Sequence, residues 1–204
     1  MPVLVIHNAK GGTGKTTTAV NLAAALADRK EAVRLLDLDP QRSAVISLAG
    51  RDDLPFEVRE VAPGARLRDH VLRDGWTLLD CPPGLSPETR VALAAADAYL
   101  VPVSPSYHAM LAVTAALDQA REASPRAGLA GILLTMADRT IPSREVGEAL
   151  RREFGAHVLR TEIPRSIALE KAHAVHQTIF EYDPDGTAAE AFRELAREVM
   201  KRGR

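Results

Sequence analysis

Val3-Leu-Val-Ile-His-Asn-Ala-Lys-Gly-Gly-Thr-Gly-Lys-Thr-Thr17 decides how the rest of the chain is read. Val3–His7 is mostly apolar, the pattern of a strand buried on both faces. Asn8–Gly14 is a glycine-rich turn. Glycines at 11, 12 and 14 permit tight turns and let backbone N–H groups approach phosphate oxygens. From Thr16 to Arg29, Ala19, Leu22, Ala23, Leu26 and Ala27 recur at helical spacing. Strand, glycine turn and a helix opened by Gly-Lys-Thr together make a phosphate loop. The helix directs its positive end at the anion. Lys15 can reach the β- and γ-phosphates, and the Thr16 hydroxyl can ligate Mg²⁺.

The same alternation continues outward. Strands are predicted over Ala32–Leu38, Phe56–Val61, Trp76–Asp80, Ala98–Val103, Leu129–Thr135 and Val158–Ile163. Helices are predicted over Pro87–Ala96, Tyr107–Glu122, Ser143–Phe154 and Gly186–Arg202. Strands alternating with helices imply an α/β fold with a mainly parallel sheet covered by helices on both faces. With 204 residues, one P-loop NTPase domain spanning 1–204 is expected. Hydrophobic residues make up 46% and charged residues 26%, which excludes wholesale disorder. One cysteine excludes an internal disulfide framework and a cysteine-rich cluster. No apolar run reaches the ~18 residues of a spanning helix, and no basic-then-apolar leader is seen, so neither anchor nor export signal is expected. With the first strand at Val3, no DNA-binding domain is expected ahead of it.

The formal net charge is −1, so any nucleic-acid binding must come from a local patch. Of 26 basic residues, 21 are arginine and five are lysine, and two of those lysines, Lys10 and Lys15, fall within seven residues of each other. In an arginine-rich chain these positions call for a compact ammonium rather than a planar fork. Lys10 also departs from the ordinary G-x-x-x-x-G-K-[ST] loop, since Ala9 stands where that pattern has glycine. The six histidines show no convincing metal pattern.

Carboxylates complete the set. Asp37-Leu38-Asp39-Pro40-Gln41 ends the second strand, and in extended chain Asp37 and Asp39 point to one side. A buried carboxylate needs a partner, and Mg²⁺ with its waters is a plausible one. Trp76-Thr-Leu-Leu-Asp80 is an apolar strand ending in an acid, followed by Cys81-Pro82-Pro83.

Lys10–Thr17 resembles the deviant Walker A loop of the ParA/MinD family of ATPases, and D-x-D-P-Q at Asp37–Gln41 and D-C-P-P at Asp80–Pro83 resemble that family's segments. The chain's length is similar to the small ParA-type partition members. The resemblance implies that Lys10 reaches the phosphates of a partner subunit in an ATP-bound homodimer, while Lys15 serves its own. It implies that Asp39 orients the attacking water and that Asp37 supports the Mg²⁺ shell. Asp80 holds a magnesium water, and Gly11, Gly12, Thr13, Gly14, Thr16 and Thr17 cradle ATP. Leu134–Asp138 and Ile163-Pro-Arg165 resemble the segments near the base, which gives Met136 and Pro164 as base contacts. Arg165, Arg193 and Arg197 are the candidate contacts to double-stranded DNA bound without sequence preference.

The partners implied are a second copy, that DNA and a ParB-like activator, in a cytoplasmic, nucleoid-associated protein that partitions a chromosome or plasmid. A ParA-like positioner of protein cargo and a MinD-like membrane switch are the alternatives. Against the latter, Phe192, Leu195, Ala196 and Val199 make a narrow stripe of the core-packing kind, and the chain closes on Lys-Arg-Gly-Arg. A small-molecule kinase and an iron-protein branch fit less well, the second for want of cluster cysteines. Arg51–Arg73 matches no recognisable segment.

Overall fold

The computed structural model describes residues 2–202; Met1, Gly203 and Arg204, including the last two residues of the terminal Lys-Arg-Gly-Arg, lie outside the described residues. Seven strands form one sheet: β1 (Val3–Ile6), β2 (Val33–Asp37), β3 (Glu57–Glu60), β4 (Trp76–Asp80), β5 (Ala98–Val103), β6 (Gly128–Ala137) and β7 (Val158–Pro164). Their spatial order is β3-β2-β4-β1-β5-β6-β7, and every pairing is parallel. The helices are α1 (Lys15–Asp28), α2 (Ser43–Ser47), α3 (Pro87–Ala95), α4 (Ala109–Ala123), α5 (Ile141–Phe154), α6 (Ile167–Ala174), α7 (Ile179–Tyr182) and α8 (Thr187–Arg202).

Alternate residues of each central strand feed two cores, as the period of two requires. Leu4, Ile6, Leu35, Leu78, Leu100 and Leu133 pack on α1 and α8 through Leu22, Leu26, Phe192, Leu195 and Val199. Val3, Val5, Leu36, Leu79, Val101 and Ile132 pack on the other side against Leu93 of α3, Val113 and Leu117 of α4, and Leu150 of α5. Both faces are therefore covered. The apolar stripe of α8 is spent on this core, since Phe192, Leu195, Ala196 and Val199 are all buried. Among the described residues no helix is long and apolar enough to cross a membrane.

The topology places the site. β1 lies between β4 and β5, with β2 and β3 wound to one side and β6 and β7 to the other. In such sheets ligands bind outside the carboxyl ends of the strands, where the winding reverses. The phosphate loop leaves β1 at that point, and Asp80 is in register with both Ile6 of β1 and Asp37 of β2.

The predicted long elements are observed within a few residues. Three short helices, α2, α6 and α7, were not predicted, and the unmatched Arg51–Arg73 stretch holds the edge strand β3 and one helical turn at Leu67–Asp69.

Candidate functional site

Gly12 and Gly14 adopt φ of 71° and 77°, the left-handed region open to glycine, so the loop can turn without strain. Gly14 is also the N-cap of α1 and supplies no side-chain acceptor, so the first-turn amides at Lys15, Thr16 and Thr17 are left for a bound anion. No acidic residue lies in that turn to compete for them.

Side chains absent from the sequence expectations fix the loop. Asn8 is buried; its Nδ2 donates to the Pro102 carbonyl at 2.7 Å and its Oδ1 accepts from Lys10 N–H at 3.0 Å. The Thr135 hydroxyl donates to the Thr13 carbonyl at 2.9 Å, which ties β6 to the loop. An asparagine between a strand and a glycine loop is a visible signal for such a clamp; Thr135 gives none, because only the fold brings it near.

The two loop lysines are placed differently. Lys15 is buried, and its Nζ donates to the Lys10 carbonyl at 3.2 Å. Burial lowers its pKa, against the opposing charges of Asp80 and Asp39. Lys10 is exposed, with its Nζ on the rim 3.4 Å from the Ser106 hydroxyl.

Asp80 is fully buried. Its Oδ2 accepts from the Thr16 hydroxyl at 2.7 Å, and its Oδ1 has no hydrogen-bond partner. Burial raises this carboxyl to about 7, against the Thr16 hydrogen bond and with the charge of Asp37 adding to the rise. A buried carboxylate oxygen without a partner, next to a threonine hydroxyl, is a donor pair that a hard divalent cation would satisfy. The residues present therefore fit Mg²⁺.

Asp37 and Asp39 part company. β2 ends at Asp37, whose buried carboxylate accepts from the backbone N–H groups of Asp39 at 3.0 Å, Ala44 at 2.8 Å and Val45 at 3.0 Å. These bonds hold the start of α2, and burial still raises the Asp37 pKa against them. Asp39 lies past the strand and is half-buried, with Oδ1 accepting from Gln41 N–H at 2.9 Å.

Met136 and Pro164 line one cavity of about 320 Å³ with Gly14, Thr17, Thr18 and Arg165. Leu169 and His173 of α6, and Phe192 of α8, complete its walls and were not predicted. Such a space suits a planar base, mostly apolar with a few polar groups at the rim.

The three predicted DNA contacts separate. Arg165 is exposed and has no ion-pair partner among the described residues, and its backbone N–H donates to the Ala137 carbonyl at 2.8 Å. Arg193 pairs with Glu190 at 3.4 Å, donates to the Pro184 carbonyl at 2.9 Å and lies 5.2 Å over the Phe180 ring. Arg197 pairs with Glu190 at 3.5 Å and with Glu194. Arg139 and Arg144, in the loop and first turn that follow β6, are exposed and likewise have no ion-pair partner among the described residues.

Residues 4–179 match the family described as the CobQ/CobB/MinD/ParA nucleotide binding domain, and the chain belongs to that family. It is 39% identical to the chromosome-partitioning ATPase Soj of Thermus thermophilus, over 98% of this chain and 95% of that protein. It is 32% identical to the chromosome partitioning protein ParA of Myxococcus xanthus, over 98% of this chain and 88% of that protein. Among solved structures, the fold superposes on a MinC:MinD cell division complex of Aquifex aeolicus with TM-score 0.80, 20% identity, and 98% and 96% of the two chains covered. It also superposes on cobyrinic acid a,c-diamide synthase of Mycobacterium smegmatis bound to an ATP analogue and magnesium, with TM-score 0.77, 24% identity, and 98% and 95% covered.

Proposed function

We propose that the protein is a partition ATPase: Mg-ATP pairs two copies, the pair binds double-stranded DNA without sequence preference, and hydrolysis to ADP and phosphate releases it. The observation that carries this reading is the division of labour between the loop lysines. Lys15 is buried in its own cradle, whereas Lys10 is exposed on the rim, where a second copy's phosphates can meet it. Two relatives that the chain matches over almost its full length are partitioning proteins, which supports the same reading.

Thr16 and Asp80 would hold Mg²⁺, with Asp37 and Asp39 behind them. When bound, the ion would offset charge on the phosphates. The loop amides and Lys15 bind and orient the triphosphate. The cavity at Met136 and Pro164 takes the base. Asp39, fixed through one oxygen by the Gln41 amide, aligns the attacking water; as a weak base it orients rather than fully deprotonates it. Turnover is then slow until a ParB-like activator improves the alignment.

Arg165, after β7, with Arg139 and Arg144, after the neighbouring strand β6, is the DNA-facing set, because these cations are exposed and outside ion pairs among the described residues. Arg193 and Arg197 already spend their charge on Glu190 and Glu194 and contribute less. In a cell, such a protein is cytoplasmic and nucleoid-associated.

The test measures DNA affinity and ATP hydrolysis together, across salt, with ATP or ADP bound. If roughly four phosphates are neutralised per complex, log K falls with log salt at a slope of about −3.6 in the ATP form only. A flat salt response, or equal DNA affinity with ADP, would refute the DNA step; absence of phosphate release would refute the ATPase.

A further inference from the structure

The corner between α6 and α7 touches both halves of the nucleotide site. α6 lends Leu169, Glu170 and His173 to the base-sized cavity. At its end the Val175, His176 and Gln177 amides fold back onto the carbonyls of Lys171, Ala172 and His173. The backbone there passes through φ 57° at His176. Helix ends of this kind normally place glycine at the left-handed position. Histidine is one of the few side chains that tolerates this conformation, and here it brings a ring that glycine would lack.

Its ring bridges the corner to α2 at the surface. Nδ1 donates to the Ile46 carbonyl of α2 at 3.0 Å. The His176 carbonyl in turn accepts from Arg51 Nη1 at 3.1 Å, and Arg51 is held by Asp53 at 2.6 Å and by Glu181. Glu181 closes the capping box at Thr178, so the corner is braced on its far side as well. On the near side α2 is the helix whose first amides Asp37 holds, directly after Asp39 and Gln41. A crevice of about 20 Å³ brings Thr16 of the phosphate loop, Ser47 of α2 and Gln177 of the corner to one place.

We propose that His176 is a positioning residue: through Ile46 it transmits occupancy of the base cavity, sensed by α6, to the segment that carries Asp39. The inference rests on the ATPase reading above and adds that the base, and not the phosphates alone, sets the rate. A base seated against Leu169 and His173 fixes α6. The fixed α6 fixes the corner, and the ring then holds α2 and the Asp39 segment in the arrangement that aligns water. Contiguous contact by itself does not establish coupling, so the test must read the coupling directly.

Phosphate release is measured at saturating Mg-ATP and at saturating magnesium tripolyphosphate, which has the phosphates and no base. His176→Gly suits the left-handed backbone and removes only the ring, so the fold is kept. His176→Asn tolerates the same backbone and places an amide nitrogen where Nδ1 stands. The wild type should turn over ATP faster than tripolyphosphate. His176→Gly should lose about tenfold in kcat on ATP, within the usual range of coupling between sites, and leave the tripolyphosphate rate unchanged. His176→Asn should recover most of the loss. Equal losses on both substrates would make His176 a brace of the fold and overturn the proposal. So would an unchanged His176→Gly rate, a failure of His176→Asn to recover it, or a wild type without preference for ATP. If the wild type releases phosphate from neither compound, the ATPase reading itself falls and this inference with it.

Discussion

Acidification should cost this protein stability at His7, by an amount that the structure sets. His7 follows β1 directly, its backbone N–H donating to the Leu100 carbonyl at 3.0 Å. Its side chain is 0% exposed, with Nε2 3.0 Å from Gln119 Oε1 of α4 and Nδ1 without a partner. Burial lowers its pKa from 6.5 to about 4, against the Gln119 hydrogen bond and with the Lys15 charge adding to the drop. The ring is therefore neutral in the fold. Below pH 6.5 the unfolded chain takes up a proton at this residue and the native chain does not, until the pH nears 4. Stability from His7 is thus intact above 6.5 and lost as pH falls through that window. At about 1.4 kcal/mol per tenfold in proton activity, the full loss is about 3 kcal/mol, and about 2 kcal/mol has gone by pH 4.5.

Asp37 and Asp80 act in the opposite sense, because their raised folded pKa values let the native state take up protons first as pH falls. A single denaturation curve would mix these contributions, so the assay is a difference. Urea unfolding of the nucleotide-free wild type and of His7→Gln is measured at pH 7 and 4.5. Glutamine can donate to Gln119 and has no proton to gain. The wild type should lose about 2 kcal/mol more than the variant between the two pH values. Equal losses would refute the assignment of a buried neutral imidazole.

Lys10→Ala should abolish the ATP-dependent homodimer seen by light scattering while ATP still binds, because the residue lies on the rim and not in its own cradle. Asp39→Ala should bind ATP and dimerise, with phosphate release down by about 10²-fold or more. Gly75→Ala should destabilise by about 3 kcal/mol and lower Tm by about 6–12 °C. The added Cβ would stand 2.3 Å from the Ala32 carbonyl oxygen at a φ of +114°, and a calorimetric scan reads the loss.

What could be read in the sequence, and what could not, follows from the range of the forces involved. The central strands are buried on both faces, so Val3–Ile6 and Trp76–Asp80 appear as nearly continuous apolar runs. The loop is legible because glycine at 12 and 14 is a local requirement of backbone conformation. α2 has only five residues, too few for a periodic signal, and is held by a carboxylate seven positions before Ala44. β3 is a short, charged edge strand, yet Phe56 and Val58 alternate with polar residues and make it legible over Phe56–Val61. Which arginines are free of ion pairs was hidden for another reason. The sequence shows Arg193 and Arg197 in a basic tail, but whether a cation is free depends on its neighbours in space. In the folded helix those two face Glu190 and Glu194, while Arg139, Arg144 and Arg165 are left exposed after β6 and β7.

The same reasoning sharpens the pair of aspartates. Two carboxylates at alternate positions of one strand would share a face and a role. The strand stops at the first of them, and the two carboxylates take different partners. Asp37 saturates its oxygens on three backbone amides and makes α2 exist, whereas Asp39 keeps one oxygen free beside the phosphate loop. On the proposed function, hydrolysis would depend on how firmly α2 is held, because α2 and Asp39 hang from the same carboxylate. Any contact that loads α2 from outside, such as the ring of His176 on Ile46, would then act on the rate without touching the nucleotide. That proposal would place control of hydrolysis in a five-residue helix, where a small binding energy suffices to shift it.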